Sequence, residues 1–86
     1  GGREESVTLW CREDLAGVFF DRFGSNLVTR KAEGGFETTL QVMVSPPFLS
    51  WLMTFGDRVR IIAPDRVREE LTSLAREVLR ANGGVV

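Results

Sequence analysis

At 86 residues the chain has room for one domain, which at this size buries only about 60% of the surface its unfolded form exposes. Its 43% hydrophobic and 27% charged content is that of an ordinary globular protein, and a net charge of -1 excludes an autonomous polyanion binder, so any nucleic-acid contact has to be local. No apolar run approaches the roughly 20 residues of a membrane span and no basic-then-apolar signal segment opens the chain, which reads as cytoplasmic with no membrane partner.

Residues 6 to 11, SVTLWC, alternate so that Val7, Leu9 and Cys11 share one face and Thr8 and Trp10 the other, the period of a half-buried strand. Glu13 and Asp14 then open a helix whose apolar residues are Leu15, Ala16, Val18, Phe19, Phe20 and Phe23, stopped by Gly24. Phe20 lies off the densest stripe and is expected to face a neighbour. Residues 26 to 32 and 36 to 44 flank Glu33-Gly34-Gly35 and read as a hairpin, its glycines supplying the positive φ of a tight connection. In the longer arm Leu40, Val42 and Val44 face inward.

Ser45 followed by Pro46 caps a second short helix, in which Phe48, Trp51, Leu52 and Phe55 recur at helical spacing until Gly56 ends it. Residues 58 to 63, RVRIIA, alternate again before Pro64, with Arg58, Arg60 and Ile62 opposite Val59 and Ile61. Asp65 is the expected cap of a last helix, whose stripe of Val67, Leu71, Leu74, Ala75 and Val78 ends near Asn82-Gly83. The paired glycines Gly1-Gly2 and Gly83-Gly84 read as flexible ends, as suits a module joined to something larger. Residues 1–86 are therefore one domain with its core over about residues 6–82.

The order β-α-β-β-α-β-α predicts an α+β, ferredoxin-like βαββαβ sandwich: a four-stranded antiparallel sheet with both helices on one face and an additional C-terminal helix. In that strand order the first strand lies between the third and the fourth. The uncovered face then collects Thr8 and Trp10, Thr39, Gln41 and Met43, and Arg58, Arg60 and Ile62. Trp10 is expected between the Gln41 row and the Arg58 and Arg60 row, where stacking and bidentate arginine contacts could hold a planar or anionic ligand. Trp10, Gln41, Arg58 and Arg60 are the candidate ligand or partner residues, and Phe20 and Ile62 the candidate interface residues. Arg66 and Arg68 sit in the first turn of the last helix, where cations are slightly unfavourable, so either solvation or a grip on something else has to account for them.

Chemistry is sparse. With no histidine, no tyrosine and a single cysteine, the usual general bases, zinc ligands and disulfides are missing, so no catalysis, metal or cofactor is expected, and Cys11 reads as a small, partly buried apolar residue. Gly35-Phe36 invites comparison with the RNA-recognition motif, but the rest of that strand, ETTLQVMV, lacks the stacking aromatics which that module places there.

The stretches "VTLWCREDLAGVFFDRF", "FETTLQVMV", "FLSWLMTFGDRVRIIAP" and "DRVREELTSLAREVLRAN" together resemble the WCX domain, the C-terminal extension of WYL-domain bacterial transcriptional regulators, over about residues 6 to 81. The most specific part is Trp51-Leu52 followed by Phe55-Gly56, an alternating strand, Pro64 and the helix opening Val67-Arg68-Glu69-Glu70-Leu71. The resemblance implies a non-catalytic module that contributes to dimerisation and effector response in a regulator whose winged helix-turn-helix binds DNA and whose WYL domain senses a ligand. Both of those domains lie outside these 86 residues, so duplex DNA is expected to be reached only through them. Two functions follow as expectations: a homodimerising regulatory module, or a domain that takes a nucleotide or a short single-stranded nucleic acid on its open sheet face.

Overall fold

Pairing extends the first strand beyond its apolar alternation. In the computed structural model, which describes residues 2–85, β1 runs Arg3–Arg12 rather than from Ser6 to Cys11. Its polar N-terminal half carries no hydrophobic signal, yet it zips in antiparallel register along β3 (Gly35–Val44), from Arg3 opposite Val44 to Arg12 opposite Gly35. The flexible-end reading of Gly1 lies outside the described residues.

A 3-10 turn at Glu13–Leu15 precedes α1 (Ala16–Phe23), so the two acids open a turn and the α-helix follows it. The first hairpin arm is shorter than its composition suggests, since β2 covers only Thr29–Ala32. Glu33 and Gly34 form a two-residue turn in which Gly34 alone has a positive φ, 75°. Gly35 is needed for a different reason: a Cβ there would lie 1.9 Å from the Cys11 carbonyl oxygen, so only glycine lets the two strands approach.

Helix α2 (Pro46–Met53) is capped as expected, with Ser45 Oγ accepting the Phe48 N–H at 3.4 Å, but it ends two residues before Phe55 and gives way to a 3-10 turn at Gly56–Arg58. The turn delays β4 to Val59–Ala63. Asp65 does not cap α3 (Asp65–Ala81): it is the first helical residue, Pro64 occupies the cap position, and the Asp65 carboxylate accepts from the Arg68 guanidinium at 2.8 Å instead. At the other end Gly83, at φ 80°, donates to Arg80 O and Gly84 to Leu79 O, the paired bonds of a left-handed helix stop. The second glycine pair therefore closes a helix.

The architecture is mixed α/β, with a four-stranded antiparallel sheet in the order β2-β3-β1-β4 and three α-helices among the described residues. β1 thus lies between β3 and β4, as the strand reading requires. One face of the sheet supplies Val7, Leu9, Cys11, Phe36, Leu40, Val44, Val59 and Ile61 to a single core that Leu15, Phe19, Leu49, Leu52 and Val67 complete from the helix layer. Each such side chain contributes about 1.5–3 kcal/mol on full burial. Phe19 is its hub, with the rings of Phe23, Phe36, Trp51 and Phe55 centred 5.4 to 6.2 Å away. The stripe on α3 is used only in part: Val67, Leu71 and Leu74 pack, whereas Ala75 and Val78 are exposed. No helix of the described residues is long and apolar enough to cross a membrane.

Candidate functional site

Because consecutive strand residues face opposite ways, burying the odd-numbered positions of β1 turns Ser6, Thr8 and Trp10 to the helix-free face. The registers then line up one side chain from each strand in a single row across the sheet, Arg30 on β2, Glu37 on β3, Trp10 on β1 and Arg60 on β4. Arg30 forms an ion pair with Glu37, and the Arg60 guanidinium lies over the Trp10 ring, 4.7 Å from its centroid. Trp10 Nε1–H donates to the Glu33 carbonyl at 3.0 Å, and the ring leans toward Gly34, where a Cβ would meet its Cζ2 at 3.6 Å. The indole is thereby fixed by the hairpin turn on one side and the guanidinium on the other.

Around this ring lies an open depression of about 560 Å³, lined by Trp10, Ala32, Glu33, Gly34, Glu37, Arg60 and Ile62. Ile62 is exposed and reaches it through a bulge: Leu9 pairs with Ile61 and Thr8 with Ala63, which leaves Ile62 as the extra residue. The rim is mixed in charge: Glu33 and Glu37 line it with Arg60, and Glu37 is paired with Arg30, so the dish offers a planar aromatic surface with no marked excess of positive charge.

The sequence-predicted residues divide. Trp10, Arg60 and Ile62 come together. Gln41 is on the same face, but it pairs with Ser6, to which its Nε2 donates, and stands four residues from Glu37 along β3, about 13 Å away. The strand neighbour of Trp10 is Glu37, which the sequence reading left out. Its place was visible in the alternation with Thr39, Gln41 and Met43, but the cross-strand register that sets it opposite Trp10 was not. The open-face expectation for Arg58 is corrected: the 3-10 turn takes it out of the strand, its Nε donates to Phe55 O at 3.2 Å, its guanidinium lies 5.9 Å from the Phe55 ring centroid, and it faces Asp14 at 3.5 Å. Phe20 is exposed on α1, away from the row.

The first-turn arginines of α3 are held within the molecule. Arg66 pairs with Glu5, which Arg3 also contacts, and Arg3 reaches on to Glu70. Glu5 lies on the helix side of β1 with its side chain only 8% exposed, so the two guanidinium groups compensate a carboxylate that would otherwise be costly to bury. Arg68 is held by Asp65. Near the end of β1, hydrogen bonds from Arg12 at 2.9 Å, its charge and that of Arg58 hold the Asp14 carboxyl down at about 2. Burial pushes the Cys11 thiol up to about 12, and that sulfur faces the core. Among the described residues no group of three or more acidic, cysteine or histidine side chains is placed to hold a metal ion.

What the arrangement offers is a shallow, rigid surface with one aromatic, paired charges and a ladder of hydroxyl and amide rungs, including the 2.8 Å bond between Thr8 and Thr39. Comparison with known proteins gives two findings. The chain matches the WCX domain family over residues 3–79, and no curated protein sequence matches it significantly.

Proposed function

The chain belongs to the WCX domain family, a regulatory family not known for catalysis, and from that premise we propose that it is the assembly module of a cytoplasmic WYL-type transcriptional regulator. In this reading it pairs with a second copy and passes an effector's state to the WYL and helix-turn-helix domains of the parent protein, through which duplex DNA is reached. The strand order with the helices on one side is read as a ferredoxin-like sandwich with an added C-terminal helix, a scaffold that leaves one sheet face for contacts. The observation that carries the proposal is that uncovered face, whose Trp10 and Arg60 are an aromatic and an arginine of the kind enriched at interface anchors. Light scattering on a size-exclusion column over a hundredfold concentration range tests it. A dimer at the upper end is expected, and a monomer throughout overturns the assembly role.

The fixed indole under a guanidinium also favours a second reading, in which the dish takes a nucleotide or a base of a short single strand. Stacking on one aromatic contributes about 1–3 kcal/mol per base. Glu33 and Glu37 among the lining residues place this reading second, since they offset the charge with which Arg60 would hold the phosphates that accompany a base. Oligonucleotide titration followed by tryptophan emission decides it: quenching that strengthens in the Glu37→Gln variant supports it, and no change up to millimolar oligonucleotide removes it.

A further inference from the structure

The outer edge of β3 has no strand partner beyond the short β2. A two-residue turn makes Ala32 and Gly35 a mutually hydrogen-bonded pair, so in antiparallel alternation Gly35, Glu37, Thr39, Gln41 and Met43 direct their backbone N–H and C=O groups toward the β2 side. β2 begins at Thr29, opposite Thr38, and covers nothing beyond it. From Thr39 to Val44, roughly 20 Å of strand, no backbone hydrogen bond among the described residues reaches Gln41 or Met43 from a loop or turn. Met43 is 58% exposed.

Edge strands are normally blunted by charge, proline or a bulge. Here the run from Thr38 to Ser45, TTLQVMVS, has no charged residue and no proline, and its register with β1 is unbroken. Below the edge, on the helix side, lies a depression of about 280 Å³ lined by Arg22, Phe23, Val42, Pro47 and Phe48 among others. Unpaired backbone groups with an apolar recess beside them are the two elements that recognition by strand addition requires.

We propose that this edge pairs with the same edge of a second copy, β3 against β3 in antiparallel register about a two-fold axis near Val42, joining the two sheets into one of eight strands. The inference rests on the assembly reading above and moves its contact from the open face to the edge. The strand is its own best complement. With Val42 opposite Val42 of the partner subunit, each Gln41 meets a Met43 on the open face, each Leu40 aligns with a Val44 on the helix side, and no like charges meet because the window holds none. The recess under the edge then accepts the partner's Val42. A strand carrying lysine on its helix-side positions would set a like charge beside Arg22, and one carrying glutamate would bury a carboxylate among Phe23, Val42, Pro47 and Phe48 with only Arg22 to offset it, which sets an uncharged second copy ahead of a basic or acidic peptide.

The test has two parts. In the wild-type chain, exchange of the Gln41 and Met43 amides should slow at least tenfold between the monomeric and the dimeric end of the concentration range, while the Thr8 amide stays unchanged. Val42→Lys places a charge in the recess and should raise the dissociation constant at least tenfold. A dimer that forms with Gln41 and Met43 still exchanging freely overturns the edge and leaves the assembly reading standing. A wild-type monomer at every concentration overturns both. If Val42→Lys does not fold, the exchange comparison on the wild-type chain decides alone.

Discussion

Arg60→Ala separates surface from scaffold most directly. Arg60 is exposed and its guanidinium lies over the Trp10 ring at 4.7 Å, and a cation–π pair in such a setting contributes about 0.5–1 kcal/mol. For a domain of 60–100 residues each kcal/mol moves the midpoint by about 4–8 °C, so the variant should melt roughly 2–8 °C lower. Trp10→Ala costs more, because it also removes the Nε1–H bond to Glu33 O and the packing against Gly34. The double variant isolates the pair. Its coupling energy should equal the cation–π contribution, about 0.5–1 kcal/mol, with the remainder of the tryptophan loss independent of position 60. Urea unfolding should be followed by far-ultraviolet circular dichroism, since Trp10 is one of only two tryptophans and its emission changes with the substitution itself. All four proteins should be measured at one low concentration, because association stabilises the folded state by mass action. Coupling indistinguishable from zero would refute the stacked geometry, and a loss above about 2 kcal/mol in Arg60→Ala alone would refute its surface placement.

Phe19→Ala, at the hub of five aromatic rings, should cost about 3–5 kcal/mol in denaturant unfolding, and a loss under 1 kcal/mol would mean that the aromatic cluster is not the core. The Cys11 thiol, buried and raised to about 12, should resist a disulfide exchange reagent at pH 8 in the folded chain and react at once in urea; rapid reaction in the native state would contradict its burial. Asp14 is depressed in the folded state to about 2 from an ordinary 3.8, so its contribution is present above the unfolded value and is lost as pH falls from about 4 toward 2. Its carboxyl carbon should titrate near 2 by NMR and return toward the ordinary value in Arg12→Ala, whereas an ordinary midpoint in the wild-type chain would remove the Arg12 clamp.

Where side-chain period and turn chemistry act locally, the sequence was legible. Val7, Leu9 and Cys11 inward and the Ser45-Pro46 helix start follow from patterns a few residues long, and the first strand between the third and fourth follows from the order of elements along the whole chain. The misreadings occur where a distant partner decides. Nothing in REES announces a strand until Val44, Met43, Val42 and Gln41 are there to pair with it. Arg58 alternates correctly with Arg60 in sequence, but a 3-10 turn, favourable for its contacts with Phe55 and Asp14, removes it from the sheet. Asp65 is a good cap residue by type, yet Pro64 already holds the extended cap conformation and the carboxylate serves Arg68. The Trp10 site was half visible for the same reason: alternation gave its face, and only register could give Glu37 as its neighbour.

That neighbour changes the chemistry inferred for the site. With Gln41 beside Trp10 the dish would be a neutral amide next to an arginine and an indole, open to a phosphate. With Glu37 there, and Glu33 among the residues that line the dish, two carboxylates offset its arginines, and Arg30 and Arg60 are already engaged by Glu37 and Trp10. Free positive charge at the dish is therefore small, and the same reasoning applies to Arg3, Arg12, Arg58, Arg66 and Arg68, each of which has an internal carboxylate. Of the two arginines at the opening of α3, Arg66 joins the helix to β1 through Glu5 and Arg68 is held by Asp65 within the helix, so neither is a free ligand grip. On the sheet itself, the groups left uncommitted include the backbone on the β2 side of Thr39 to Val44 and apolar surface at Met43 and Ile62. A surface with those spare groups is suited to another polypeptide strand more than to a polyanion.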